Sequence, residues 1–332
     1  MSEDIRMRLD AAIHAVSLAC QITRRVQQSL AGLGQLSKTD RSPVTVADFA
    51  AQAIIAHSLE SRLGPLLMVG EEDSVALREG QQAALIDAIV SALEPLWPGA
   101  DPANILAAID LGGHDGSAFC YWTLDPVDGT KGFLRGQQYA IALAWIVDGV
   151  VELGVLGCPN LSLAPGADFD QADRHGLLFH AIHGQGCRVR SADAPESEPR
   201  AVRHQAGRGA IRVCESIESG HSRHDLSADI LARLGNTGAP ARLDSQCKYG
   251  VVASGRADAY LRLPTRADYV EKIWDHAAGK LIAEEAGCIV TDIHGHPLDF
   301  AQGPLLTENR GVICAGPDWH GRIIEAIAEL GL

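Results

Sequence analysis

Apolar residues recur at Leu9, Ile13, Val16, Cys20, Val26, Leu30 and Leu33, a spacing that predicts a long amphipathic helix ending near Gly32 and Gly34. A polar, proline-containing stretch over 37–43 interrupts the pattern. A second helix is expected from about Asp48 through Ile54, Ile55 and Leu59 to Gly64, with Asp48 at or near its N-terminus. The apolar run 66–69 is stopped by Gly70 and reads as a buried strand that delivers Glu71, Glu72 and Asp73 to its C-terminal end. Helical spacing returns over 75–104, then breaks at Pro95, Pro98 and Pro102. Strands follow at 121–124, ending in an acid, and at 139–147 and 150–156, joined by the turn Asp148-Gly149. Together they predict a meander covered on one face by the first two helices.

From about residue 158 the chain turns to Gly- and charge-rich loops with short strands such as 177–182. This places a boundary between an N-terminal α+β domain, 1–157, and a C-terminal α/β domain, 158–332. Late in the chain a helix opens at Trp274-Asp275-His276 and stops at Gly287, followed by a strand over 288–291. Asp275 thus lies at a helix N-terminus, where backbone N–H groups favour anions. The length, 332 residues, allows a large core and a cleft between two domains, where ligand sites concentrate.

Composition narrows the function. No run of about eighteen apolar residues is present, so no membrane span is expected. The acidic start Met1-Ser2-Glu3-Asp4 lacks the basic and apolar regions of a secretory signal, which makes the cytoplasm the expected compartment. Eight cysteines lie far apart without a C-x-x-C pair and read as reduced, buried thiols instead of zinc ligands. A net charge of −14 repels nucleic acid and polyphosphate. An anionic substrate therefore needs a bound cation or a local basic pocket, and no nucleic-acid partner is expected.

Asp125-Pro126-Val127-Asp128-Gly129-Thr130 is the strongest chemical signal. Proline and glycine predict a tight turn in which two carboxylates and the intervening carbonyl point to one place, an all-oxygen site that suits Mg²⁺ better than zinc. Glu71 is placed to add a bridging carboxylate, and Asp275 to close the site from the second domain. Taken singly, each also has an ordinary structural reading: a plain turn, a solvated acidic loop, a helix cap.

Taken in order, strand-Gly70-Glu71-Glu72, Asp125-Pro126-Val127-Asp128-Gly129-Thr130 and Trp274-Asp275-His276-Ala277-Ala278-Gly279 resemble the inositol monophosphatase superfamily of metal-dependent phosphatases. The likeness is closer to its 3′(2′),5′-bisphosphate nucleotidase branch, and it covers nearly the whole chain. It runs through Ser42-Pro43-Val44-Thr45-Val46-Ala47-Asp48, the extension from Lys131 to Arg135, Gly157-Cys158-Pro159-Asn160-Leu161, His221-Ser222-Arg223-His224-Asp225, Asp244-Ser245-Gln246-Cys247-Lys248-Tyr249, Tyr260-Leu261-Arg262-Leu263-Pro264 and Glu271-Lys272-Ile273-Trp274-Asp275. Val127 stands where isoleucine is commoner, a harmless change if its backbone does the work.

The resemblance implies a layered α/β sugar-phosphatase-type fold, αβαβα, with two subdomains and the active site between them. It implies two or three Mg²⁺ ions held by Glu71, Asp125, the Val127 carbonyl, Asp128 and Asp275. Catalytic roles fall to Glu71 and to a hydrogen-bonded pair, Asp48 and Thr130. Substrate contacts fall to Gly129, Thr130, His221, Ser245, Lys248, Arg262 and Asp275, with His224 a further candidate. The implied reaction is hydrolysis of the 3′-phosphate of adenosine 3′,5′-bisphosphate to AMP, with the 3′-phosphosulfated nucleotide a further candidate substrate and lithium an expected inhibitor. The rival readings are an inositol polyphosphate 1-phosphatase and a non-catalytic nucleotide-sensing module. Oligomeric state is not legible.

Overall fold

Two β-sheets of very different connectivity carry the architecture. They are described by a computed structural model that covers the chain apart from residues 1–2, 33–41, 79–81, 165, 206, 208, 219–222, 237, 267 and 332. The chain begins with helices α1 (Glu3–Gly32) and α2 (Ser42–Leu63), strand β1 (Met68–Gly70) and helices α3 (Val75–Arg78), α4 (Ala83–Leu93) and α5 (Pro102–Asp110). Strand β2 (Cys120–Asp128) leads into a short helix, α6 (Thr130–Leu134). Strands β3 (Ala140–Val147), β4 (Val150–Cys158), β5 (Leu177–Ile182), β6 (Cys187–Ser191) and β7 (Arg200–Val202) then complete a seven-stranded sheet in sequential order. Only its first pair, β1 with β2, is parallel.

The rest of the chain supplies β8 (Val213–Glu215), α7 (His224–Arg233), β9 (Ala241–Arg242), α8 (Cys247–Ala253), β10 (Ala259–Arg262), α9 (Ala277–Glu285), β11 (Ile289–Thr291), β12 (Val312–Ala315) and α10 (Pro317–Glu329). Its strands form a mixed sheet in the order β11-β12-β10-β8-β9.

Side-chain alternation along β3 shows how the layers stack. Ile141, Leu143 and Trp145 join the core beneath α1 and α2, whereas Ala140, Ala142, Ala144 and Ile146 join the core around α8 and α9. A strand buried on both faces loses the apolar-polar alternation of a surface strand and reads as one continuous apolar run. A third core packs the far face of the second sheet against α7 and α10, through Val213, Leu261 and Ile313 on one side and Ile230, Ile323 and Ile327 on the other. The order of layers is therefore α1/α2, first sheet, α8/α9, second sheet, α7/α10, the expected αβαβα stack. Among the described residues no helix is long and apolar enough to cross a membrane.

Four expectations shift. Helix α2 starts at Ser42, so Asp48 sits in its second turn instead of at its N-terminus; Pro43 is compatible with a first turn because the missing N–H has no intrahelical partner there. Pro102 opens α5 behind an Asp101 cap that accepts from the Asn104 amide at 2.9 Å, where only a turn was expected. The Asp125–Asp128 segment is not a tight turn but the end of β2. Finally, β4 and β5 pair across position 158, with Cys158 opposite Leu177. The boundary expected there falls inside the first sheet, and the change of sheet comes between Val202 and Val213.

Candidate active site

The end of β2 is irregular. Asp125 pairs with Ala142 and Asp128 with Ala140, so three steps on β2 are matched by two on β3. In a regular strand, residues three apart point to opposite faces; the extra residue of this bulge brings both carboxylates to one side. Both line a cleft of about 410 Å³ at the C-terminal end of β1 and β2. Glu71 joins them because β1 runs parallel to β2, and its amide donates to the Leu124 carbonyl at 3.1 Å. The Val127 side chain is buried in the α2-side core, so what it offers the cleft is backbone. Asp275, just ahead of α9, closes the acidic wall from the helix layer between the two sheets.

Crowding these acids has an electrostatic cost. Burial pushes the Asp125 carboxyl well above the usual carboxylate range, and Glu71, Asp128, Asp275 and Asp48 push it further. Burial and Asp128 raise Glu71 as well, while a hydrogen bond to Asp125 and the Lys272 charge restrain it. Asp275 is pushed up to about 8 by burial together with Asp128, Glu271 and Glu71, against the pull of Arg262. Asp125 Oδ1 is buried with no hydrogen-bond partner among the described residues. An unpaired buried carboxylate oxygen facing three more acids is a donor set that a hard divalent cation satisfies and a protein donor does not.

Opposite stands a basic, hydrogen-bonding wall. Lys248 on α8 is only 2% exposed, donates from Nζ to the Leu243 carbonyl at 3.3 Å and lies 5.0 Å from the Tyr260 ring centre. Arg262 ends β10 and lines the cleft beside Tyr260 and Tyr269. Ser245 adopts φ +72°, a backbone state that non-glycine residues occupy at a cost of about 1 kcal/mol or more and that clusters at functional sites. Gly129 permits the two walls to meet: at φ +90°, a Cβ added there would stand 2.8 Å from the Ser245 Cβ.

Of the expected site residues, Glu71, Asp125, Val127, Asp128, Gly129, Thr130, Ser245, Lys248, Arg262 and Asp275 all line this one cleft. Asp48 is buried on α2; burial, Glu72 and Glu71 raise its carboxyl well above the usual range. Thr130 is exposed at the start of α6, and among the described residues no hydrogen bond joins it to Asp48. His224 is not among the residues that line the cleft; its Nε2 lies 2.9 Å from the carbonyl oxygen of Ser216, which does. His221 lies outside the described residues.

Two features escaped the sequence reading. Gln246 ties the walls together: its amide donates to Asp128 Oδ2, its Nε2 donates to the Trp274 carbonyl at 2.8 Å, and its Oε1 accepts from the Gly279 amide at 3.1 Å. The signal the sequence offered was its position, next to Ser245 and two residues before Lys248; its burial, which demands hydrogen-bond partners, is seen only in the fold. At the rim, Glu218 pairs with Lys131 at 2.9 Å and with Arg135, just past the end of α6, at 2.7 Å, while Asp244 also pairs with Arg135.

The chain's likenesses to known proteins run along its whole length. The sequence profile of the inositol monophosphatase family matches residues 4–332. A 3′(2′),5′-bisphosphate nucleotidase of Schizosaccharomyces pombe is 41% identical over 347 residues, covering 99% of this chain and 97% of that protein. One of Oryza sativa is 39% identical over 335 residues, covering 97% and 93%. Among solved structures, an inositol monophosphatase from Anabaena superposes with a TM-score of 0.62 at 17% identity, covering 99% of this chain and 97% of that one. Another from Zymomonas mobilis gives 0.62 at 19% identity with full coverage of both; at such identities the likeness speaks for the fold. A family match that runs from the first helix to the last has one meaning: this chain belongs to the inositol monophosphatase family.

Proposed function

We propose that this protein is a magnesium-dependent 3′(2′),5′-bisphosphate nucleotidase that removes the 3′-phosphate of adenosine 3′,5′-bisphosphate, giving AMP and phosphate, with the 3′-phosphosulfated nucleotide a second candidate substrate. The observation that carries the reading is the two-walled cleft, four acids facing Lys248 and Arg262, in a chain alike from end to end to nucleotidases so named. Glu71, Asp125, Asp128, Asp275 and the Val127 carbonyl are the residues that would hold two or three Mg²⁺ ions. Bound there, magnesium supplies neutralisation of the phosphate charge and activation of water.

The chain's own residues do the rest. Ser245, Lys248 and Arg262 bind the nucleotide, and Gly129 lets the backbone approach it. Thr130 orients the attacking water, and Asp48 is the final proton acceptor, a carboxyl whose proton affinity burial raises. The buried, unpaired thiols fit a reducing compartment, and we assign the protein to the cytoplasm.

Phosphate release from adenosine 3′,5′-bisphosphate and from inositol 1,4-bisphosphate, each with Mg²⁺ and with chelator, tests the proposal. The expected result is magnesium-dependent release with the nucleotide preferred, inhibited by Li⁺ and not by K⁺. A preference for the inositol substrate overturns the substrate assignment; release undiminished by chelator overturns the metal site.

A further inference from the structure

Arg262 does not reach the cleft unsupported. Its Nε donates to Glu271 Oε1 at 2.9 Å and its Nη2 lies 2.7 Å from Glu271 Oε2, a side-on, two-point grip. The same Nη2 lies 3.3 Å from the Tyr269 hydroxyl and 3.5 Å from Asp275 Oδ2. Arg262 also hydrogen-bonds Tyr260, its neighbour in the lining of the cleft.

Glu271 is anchored in turn. His276 Nε2 lies 3.2 Å from Glu271 Oε2, and His276 Nδ1 lies 2.9 Å from the Tyr249 hydroxyl. A carboxylate only accepts, so Nε2 carries the imidazole proton, and Nδ1 accepts from the Tyr249 O–H. Backbone bonds fix the same segment: the Leu306 amide donates to the Glu271 carbonyl at 2.9 Å, and the Ile273 amide to the Pro304 carbonyl at 3.1 Å. The tether therefore runs from Tyr249, one residue after Lys248, through His276 and Glu271 to Arg262.

We propose that Glu271 is a positioning residue that, held by His276 and Tyr249, presents Arg262 to the bisphosphate nucleotide and keeps it from turning onto Asp275. This rests on the assignment of Arg262 to the substrate made above. Released from Glu271, the guanidinium has a second carboxylate, Asp275, already 3.5 Å away. When Asp275 holds Mg²⁺, Arg262 is drawn towards that carboxylate without forking onto it, and its fixed aim at the ligand is lost. The cost falls on substrate binding and not on the chemical step.

A double-mutant cycle tests this at saturating Mg²⁺ with adenosine 3′,5′-bisphosphate. Glu271→Gln keeps the side-chain volume but offers one oxygen where Arg262 and His276 need two, so it raises KM roughly five- to twentyfold with kcat within about threefold. The effect shrinks to less than about twofold when Arg262 is already alanine. Tyr249→Phe removes only the hydroxyl at the far end of the tether and raises KM roughly two- to fourfold by the same route; it takes the place of the glutamine variant in the cycle should that variant fail to fold. A normal KM for Arg262→Ala removes the reading on which the proposal stands. A raised KM for Arg262→Ala, joined with a normal KM for the folded tether variant or with a tether effect undiminished in the Arg262→Ala background, overturns the proposal alone.

Discussion

Lys248 is almost completely buried, and burial pulls its ammonium pKa down while Asp128 and Asp244 pull it up. A cation placed so deep costs stability unless it has anions to meet, and a substrate phosphate is the partner the cleft is shaped to receive. Lys248→Met keeps most of the volume and removes the charge, so kcat/KM for the bisphosphate nucleotide should fall roughly tenfold to a hundredfold, mostly through KM. Steady-state kinetics that placed the whole loss in kcat would move Lys248 out of the substrate site. Asp128→Asn and Glu71→Gln should do the opposite: the fold persists, as circular dichroism would report, while turnover is lost even at high Mg²⁺. Near-normal activity in either variant would remove it from the metal-binding set. At this scale the sequence was most readable where chemistry is written in single residue types. The acids Glu71, Asp125, Asp128 and Asp275 could be named from short motifs, but Glu271 could not, because its importance lies in two oxygens shared between Arg262 and His276 across folded strands. No local pattern announces such a pairing.

Among the elements, periodicity recovered what depends on neighbours in sequence. The two long helices, the 140–158 hairpin with its Asp148-Gly149 turn and the strand before Glu71 all follow from apolar spacing and turn residues. What it missed depends on partners in space. The β2 bulge is defined by the register of β3, and nothing in Asp125-Pro126-Val127-Asp128 alone distinguishes it from a turn. The expected boundary at 158 mistook the long loop between β4 and β5 for a linker, although the strands on either side are paired. Helix α9 shows the same dependence. Gly279, in its first turn, faces Tyr249 so closely that an added Cβ would stand 2.2 Å from the ring. Gly279→Ala should therefore destabilise the protein by about 1–3 kcal/mol despite alanine's better helix propensity. Because Tyr249 holds the tether to Arg262, the surviving enzyme should also show a raised KM. Thermal unfolding together with KM checks both, and a stabilised variant would contradict the packing described between α8 and α9.

The molecule as a whole concentrates mutually repelling acids where its two sheets meet, and this couples magnesium, protons and folding. Asp275 is held at about 8, and Asp125 and Glu71 are also raised. Carboxyls whose folded pKa exceeds the unfolded value of about 4 favour folding while protonated. That contribution is complete below the unfolded pKa and is lost as pH rises through the folded one. Without metal, the site thus weakens the fold progressively as pH climbs from about 4 to about 8. Magnesium binds the ionised carboxylates, so it must displace their protons at lower pH and meets fewer of them at higher pH. The rise in Tm on adding Mg²⁺ should therefore be larger at about pH 8.5 than at about pH 6.5, by roughly 2–6 °C. In Asp275→Asn the difference between the two pH values should shrink, because the acid held at about 8 no longer carries a proton to release. Differential scanning calorimetry of chelated and magnesium-loaded protein decides the matter: an Mg²⁺ stabilisation equal at both pH values would show that the cleft acids are ionised without the metal, and the repulsion described among them would then be too weak to shape the site.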